Sequence, residues 1–126
     1  DLRTDLQCYA RLLHLIAHYE LGNFDLLEYL VKSVYRFMAK MDSLSVVEEE
    51  MFRSLRHAFG KPRTEIKLAF AKLLTKIKPY ENDPRETRTF SYLDVISRLE
   101  SKVEGVPVQE IIRRKSIANR KKRHLE

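Results

Sequence analysis

The sequence has little cysteine, glycine or proline and no tryptophan. Cys8 is the single cysteine among 126 residues, which excludes an internal disulfide and a cluster of thiolate metal ligands. The chain has three glycines and four prolines, so few residues interrupt a helix or a strand. This composition is typical of a reducing compartment, and we expect a cytoplasmic protein built from long regular segments.

Long apolar runs and strand signals are also missing. The longest stretch without a charged residue, residues 12–19, contains two histidines, whereas a membrane-spanning helix needs about 20 apolar residues. No Asn-Gly or Asp-Gly hairpin dipeptide occurs, and apolar and polar residues do not alternate over any sustained stretch. We therefore predict an all-α protein without a membrane span.

The sequence carries no enzyme or cofactor motif. A glycine-rich phosphate loop, a Gly-x-Ser-x-Gly motif and an acidic calcium loop are all absent. His14 and His18 have the spacing of the two zinc ligands in a His-Glu-x-x-His motif, but Leu15 stands where the glutamate would be. We interpret the histidines as polar positions beside a core stripe and Cys8 as a small buried residue. We predict no enzymatic activity, no cofactor and no metal site.

The net charge of +6 comes from one end of the chain. Residues 1–110 hold 17 basic and 17 acidic residues, whereas residues 111–126 hold seven basic residues and one acidic residue, Glu126. The body of the protein therefore has no cationic excess, and the high pI is not an indication of a basic face.

Apolar residues recur at spacings of three and four along six segments, which predicts six helices. The predicted helices cover residues 4–21, 24–41, 45–59, 62–77, 90–104 and, from 107 onward, a segment whose apolar pattern ends at Ile112. Ser45 and Glu48 have the spacing of a capping box. The polar stretch 79–88 is the clearest connector.

Each glycine lies between two predicted helices. Gly22, Gly60 and Gly105 are 38 and 45 residues apart, and each is followed within three residues by another helix. Glycine adopts the left-handed conformation that ends a helix without Cβ strain. The sequence therefore predicts three antiparallel αα-hairpins, arranged as an irregular repeat or as a compact bundle.

The segment HYELGNFDLLEYL, residues 18–30, resembles the middle of a tetratricopeptide repeat. In that family two antiparallel helices are joined by a Gly-Asp-Tyr-Asp turn, which Gly22, Asn23, Phe24 and Asp25 match position for position. The chain is also similar to C-terminal helical regions of uncharacterised bacterial repeat proteins. The resemblance implies a tetratricopeptide-like fold, a bacterial source and protein binding, and it implies no chemistry.

The resemblance also implies a candidate protein-binding groove. In tetratricopeptide repeats the first helix of each hairpin lines the concave surface, which here places Tyr9, Leu12, Ile16 and Tyr19 on it. Tyrosines often anchor protein interfaces. The alternative is that this apolar stripe is covered, either by the later hairpins or by an upstream repeat.

The basic C-terminal segment is the second candidate site. Its two clusters contain the candidate phosphate-contacting residues Arg113, Arg114, Lys115, Arg120, Lys121, Lys122 and Arg123. Positive charge suffices for phosphate contacts, but no aromatic residue is present for base stacking. Because the apolar pattern ends at Ile112, we expect this segment to be mobile or marginally helical.

These observations predict a helical-hairpin domain at residues 1–112, a basic extension at 113–124 and a vector-derived dipeptide at 125–126. We expect the C-terminal part of a larger protein. Its predicted function is that of a scaffold or adaptor that binds another protein or the rest of its parent chain. The alternative is an accessory that binds nucleic acid or an anionic surface through the basic extension.

Overall fold

The computed structural model describes residues 2–125, and nearly all of them are helical. Its α-helices are α1 (Leu2–Leu21), α2 (Phe24–Lys40), α3 (Val46–Ala58), α4 (Arg63–Ile77), α5 (Val95–Glu104) and α6 (Val108–Leu125). Residues 2–125 contain no strand. The all-α prediction is therefore confirmed, while Asp1 and the presumed vector residue Glu126 lie outside the described residues.

The connector between α4 and α5 has more structure than the sequence indicated. It forms two short 3-10 turns and one π-helical turn, at Lys78–Tyr80, Pro84–Glu86 and Arg88–Tyr92. The prediction of a helix from residue 90 is wrong at its start, because α5 begins only at Val95. Asp94 sets that boundary: it has a φ of 47°, and its Oδ1 accepts a hydrogen bond from Ser97 N at 3.4 Å.

Two of the predicted helix boundaries have the expected local chemistry. At the start of α3, Ser45 Oγ accepts from Glu48 N at 3.2 Å while Glu48 Oε1 accepts from Ser45 N at 3.1 Å, which confirms the capping box. Gly60, between α3 and α4, has a φ of +80°. A Cβ there would meet no atom within 4 Å, so backbone conformation and not crowding favours glycine.

The helices pack as successive pairs. α1 packs against α2, α3 against α4 and α5 against α6, and α4 also packs against α5 across the connector. A single core runs through α1 to α5, and from α6 only Ile111 is buried. The largest fully buried apolar side chains of this core are Phe52, Leu27, Met38, Ile77 and Leu93.

None of the helices in residues 2–125 combines the length and the apolar composition needed to cross a membrane. The longest, α1, carries Arg3, Asp5, Arg11 and Glu20 along its length. One stripe of α1, formed by Cys8, Leu12, Leu15 and Tyr19, is buried against the other helices, as an amphipathic pattern requires.

Tyr19 is a buried core residue of α1 that carries a hydroxyl group. Its ring packs edge to face on Phe70 of α4, with the ring centroids 5.7 Å apart. Its hydroxyl is buried, and no group in residues 2–125 accepts or donates a hydrogen bond to it. Burial, and next the charge of Glu20, raise the pKa of Tyr19.

We expect Tyr19→Phe to raise the free energy of unfolding by about 1 kcal/mol, because it removes an unpaired buried hydroxyl and keeps the ring contact. Urea denaturation at neutral pH measures this change. Tyr29→Phe is the control, since Tyr29 is exposed, and it should leave stability unchanged. A loss of stability in Tyr19→Phe would contradict the prediction and show that the hydroxyl is bonded in the folded protein.

Candidate functional site

The histidine pair of α1 forms a local hydrogen-bonded chain. His18 Nε2 lies 3.0 Å from His14 Nε2, and Asn23 Nδ2 lies 3.2 Å from His18 Nδ1. Within residues 2–125 no group of three or more His, Cys, Asp or Glu side chains is arranged to hold a metal ion. Cys8 is fully buried in the core.

The candidate groove on α1 is covered. Leu12 and Tyr19 are buried, and Tyr9 and Ile16 are partly buried against the core. α4 and α5 cover Tyr19, since Phe70 packs on its ring and Lys102 Nζ lies 5.0 Å from the ring centroid. The stripe is therefore not an open groove, because the later hairpins of the same chain cover it.

The basic C-terminal segment is helical, since α6 continues through Leu125. Three of its seven cations pair with acidic residues. Lys115 Nζ lies 2.6 Å from Glu100 Oε1, Arg114 Nη1 lies 2.7 Å from Glu104 Oε2, and Arg113 Nη2 lies 2.6 Å from Glu110 Oε1. The sequence pattern missed the first two pairs because they join α6 to α5.

The other four cations of α6 are not paired with acidic residues of α5 or α6. Arg120, Lys121, Lys122 and Arg123 are exposed. They form no ion pair with any acidic group in residues 2–125. The seven predicted phosphate-contacting residues thus divide into three that are engaged with carboxylates and four that are not.

A wide cleft, which the sequence did not indicate, lies between the start of α1, the α2–α3 loop and the segment 85–92. It is open to solvent and has a volume of about 1090 Å³, slightly above the range of about 300 to 1,000 Å³ for ligand sites. We call it the N-terminal cleft. It is lined by Thr4, Asp5, Leu6, Tyr9, Met41, Asp42, Ser43, Leu44, Ser45, Val46, Glu48, Arg85, Glu86, Arg88, Thr89 and Tyr92.

An ion pair forms the floor of the cleft. The Arg88 guanidinium donates to both oxygens of Glu48, with Nε 2.8 Å from Oε2 and Nη2 2.5 Å from Oε1. Arg88 Nη2 also donates to Ser43 O at 2.8 Å, and Thr89 Oγ1 donates to Glu48 Oε2 at 3.3 Å. These bonds to Glu48 raise the pKa of Arg88. The bidentate pair fixes the connector against the start of α3.

A second buried carboxylate lies beside this pair. Glu86 is only 2% exposed. Its Oε1 accepts a hydrogen bond from Val47 N at 3.3 Å, at the positively polarised start of α3. Its Oε2 is buried and has no hydrogen-bond partner in the part of the chain that the structure describes. Glu86 thus lines the cleft with one carboxylate oxygen that has no hydrogen-bond partner in the described residues.

The rim of the cleft is apolar and exposed. Leu6, Met41, Val46 and Tyr92 are between 41% and 65% exposed, although each is a large hydrophobic residue. Tyr92 meets Tyr9 edge to face, with the ring centroids 6.1 Å apart. Exposed apolar side chains that gather at one concave surface mark binding sites more often than scattered ones do.

No signal in the sequence identified this cleft. Glu86 and Arg88 lie in the polar connector, about 40 positions from the α3 residues that they contact. The sequence indicates only the capping-box role of Glu48. That role is present, and Glu48 has the additional role of binding Arg88.

Comparisons of the chain with protein-family models, with curated proteins and with solved structures find no match.

Arg88→Met should lower the free energy of unfolding by about 3 kcal/mol, because it leaves Glu48 buried without its counter-ion. The matched control is Arg85→Met, which breaks an exposed pair with Asp83 and should leave the stability nearly unchanged, because water screens that pair. Urea denaturation compares the two variants.

Glu48→Gln added to Arg88→Met should recover part of the loss, since a neutral amide still completes the capping box. Equal losses for Arg88→Met and Arg85→Met, or no recovery in the double variant, would contradict the structural role of this ion pair.

The carboxyl of Glu110 should titrate with a pKa of about 2, below its usual 4.5, because Arg113 and then Arg114 donate hydrogen bonds to it. A lowered pKa means that these bonds stabilise the fold above pH 4.5 and are lost as the pH falls toward 2. Side-chain NMR titration measures the value. Arg113→Gln with Arg114→Gln should return it toward the usual value, and Arg120→Gln with Arg123→Gln should not. An ordinary pKa in the wild type would show that these arginines are not bound to Glu110.

Proposed function

We propose that this domain is a protein-interaction module, acting as a scaffold or adaptor, and that it docks a partner polypeptide in the N-terminal cleft. The observation that carries the proposal is the exposed apolar rim above a floor of buried, hydrogen-bonded charge. Protein interfaces are rich in tyrosine, methionine and other large apolar residues at their centre. The rim offers tyrosine, leucine, methionine and valine side chains at one concave surface.

The rigidity of the floor supports the same proposal. The Arg88–Glu48 pair and the capping box hold the connector and the α2–α3 loop in one arrangement. A preformed surface loses less conformational entropy when it binds a partner than a flexible one does. The cleft can therefore bind without a large ordering cost.

The proposal includes a tetratricopeptide-like first hairpin, but it places the binding surface at a different part of α1. The turn at Gly22 and the packed helix pairs support it. The expected concave stripe of α1 is occupied by the protein's own core, so the binding surface that we propose lies at the beginning of that helix instead.

Leu6→Ala combined with Tyr92→Ala should weaken capture of a partner by about tenfold or more, because large apolar anchors dominate interface energies. The immobilised protein is incubated with nuclease-treated cell extract, and bound proteins are quantified by mass spectrometry. The matched control is Leu68→Ala with Tyr29→Ala, whose side chains are 63% and 70% exposed outside the cleft. Equal capture by both double variants, or no capture by the wild type, would contradict docking in the cleft.

A second candidate function is binding to nucleic acid or another anionic surface through the end of α6. It is favoured by one observation: Arg120 to Arg123 are exposed and have no acidic partner in residues 2–125. Such binding would weaken steeply with salt. If single-stranded DNA binds in low salt and glutamine at these four positions abolishes binding without changing the melting temperature, this second function is supported.

A further inference from the structure

We infer that the N-terminal cleft takes a basic peptide segment, in which a Lys or Arg side chain lies over the acidic floor and a neighbouring apolar side chain packs on the rim. This inference rests on the proposed function, since it specifies the partner of the same cleft. The occupant is a segment of another polypeptide, and the charges of the cleft define its chemistry.

The charges that line the cleft are unbalanced. Glu48 is neutralised by Arg88. Arg85 is held by Asp83, a residue outside the lining, through Nη2 at 2.9 Å and Nε at 3.2 Å. The lining holds four carboxylates and two arginines. Asp5, Asp42 and Glu86 form no ion pair within residues 2–125, although Arg88 attracts Asp5 and Arg85 attracts Glu86 over longer distances. The cleft is thus acidic in a chain whose formal net charge is +6.

Glu86 is the buried carboxylate of the three. Its Oε2 has no hydrogen-bond donor in residues 2–125 although the side chain is almost fully buried. A buried carboxylate without a cation is unfavourable, and its attraction for a cation is screened less than that of an exposed carboxylate. A guanidinium or ammonium group in the cleft would add a second positive charge to that of Arg85, which interacts with Glu86 without forming an ion pair.

The rim fits the rest of a basic side chain. Lys and Arg carry apolar stems that pack on hydrophobic surface while their charged ends remain hydrated or paired. Leu6, Met41 and Val46 offer such a surface. Tyr9 and Tyr92 offer aromatic rings, on which a guanidinium stacks favourably. An acidic or phosphorylated segment would be repelled by Asp5, Asp42 and Glu86, and the exposed cation of the lining, Arg85, is already paired with Asp83.

The experiment begins with a displayed library of random peptides selected on the immobilised full chain. We expect the enriched peptides to combine Lys or Arg with an adjacent apolar residue. The Kd of the most enriched peptide is then measured by fluorescence anisotropy in low and in high salt. Because opposite charges are screened by salt, binding should be weaker in high salt.

The charge test uses isosteric variants. Asp5→Asn with Asp42→Asn should weaken binding of that peptide by about tenfold, since two attractive charges are removed. Asparagine suits position 42, where φ is 52°. The matched control is Asp25→Asn with Glu65→Gln, two exposed acidic residues outside the cleft lining, which should leave Kd unchanged. Circular dichroism melting confirms that each variant is folded.

Several results would overturn the inference. They are enrichment of acidic or neutral peptides, absence of enrichment, equal weakening by the cleft and control variants, or sedimentation showing that a second copy of the chain occupies the cleft. If Leu6→Ala with Tyr92→Ala weakens partner capture but Asp5→Asn with Asp42→Asn does not, docking in the cleft stands and the basic specificity is wrong. If neither pair has an effect, both proposals fail.

Discussion

The ion pair between Arg88 and Glu48 is the interaction on which the proposed site depends. It joins the connector after α4 to the first turn of α3, and it uses a glutamate that already caps that turn through Ser45. The buried carboxylate of Glu48 is compensated because the Arg88 guanidinium, the Thr89 hydroxyl and the Ser45 backbone N–H all donate hydrogen bonds to it. The same contact places Glu86 and Tyr92, on either side of Arg88 in the chain, at the cleft. It acts together with the hydrogen bond from Val47 N to Glu86 and the ring contact between Tyr9 and Tyr92, which also position the connector.

The two ends of α1 have different surroundings: its C-terminal part packs in the core, and its N-terminal part lines the N-terminal cleft. Toward its C-terminal end, Leu12, Leu15 and Tyr19 are buried under α4 and α5. Near its N-terminal end Leu6 is exposed and Tyr9 meets Tyr92 at the cleft. A helix of 20 residues is about 30 Å long, so it extends past the part of the core that covers it. The proposed docking surface is therefore part of a helix that is otherwise structural.

Positive and negative charges lie on different parts of the fold. Acidic residues of α5 pair with the first cations of α6, which leaves the last four cations of α6 exposed. The acidic N-terminal cleft involves other elements, α1, the α2–α3 loop and the connector. The balance of 17 basic and 17 acidic residues in 1–110 therefore conceals a locally acidic surface, because a sum over sequence does not show where the charges lie in space.

The sequence by itself determined the features that depend on local physics. Apolar spacing indicated the helices, Ser45 and Glu48 indicated the capping box, and three glycines indicated left-handed turns, because each signal acts within about one or two turns of the chain. The tertiary structure alone decided which face of α1 is covered, that Lys115 meets Glu100, and that Glu86 and Arg88 meet α3. These contacts join residues that are far apart in the sequence. Their formation depends on how the helices pack, and helical periodicity shows which residues share a face but not which helix will cover it.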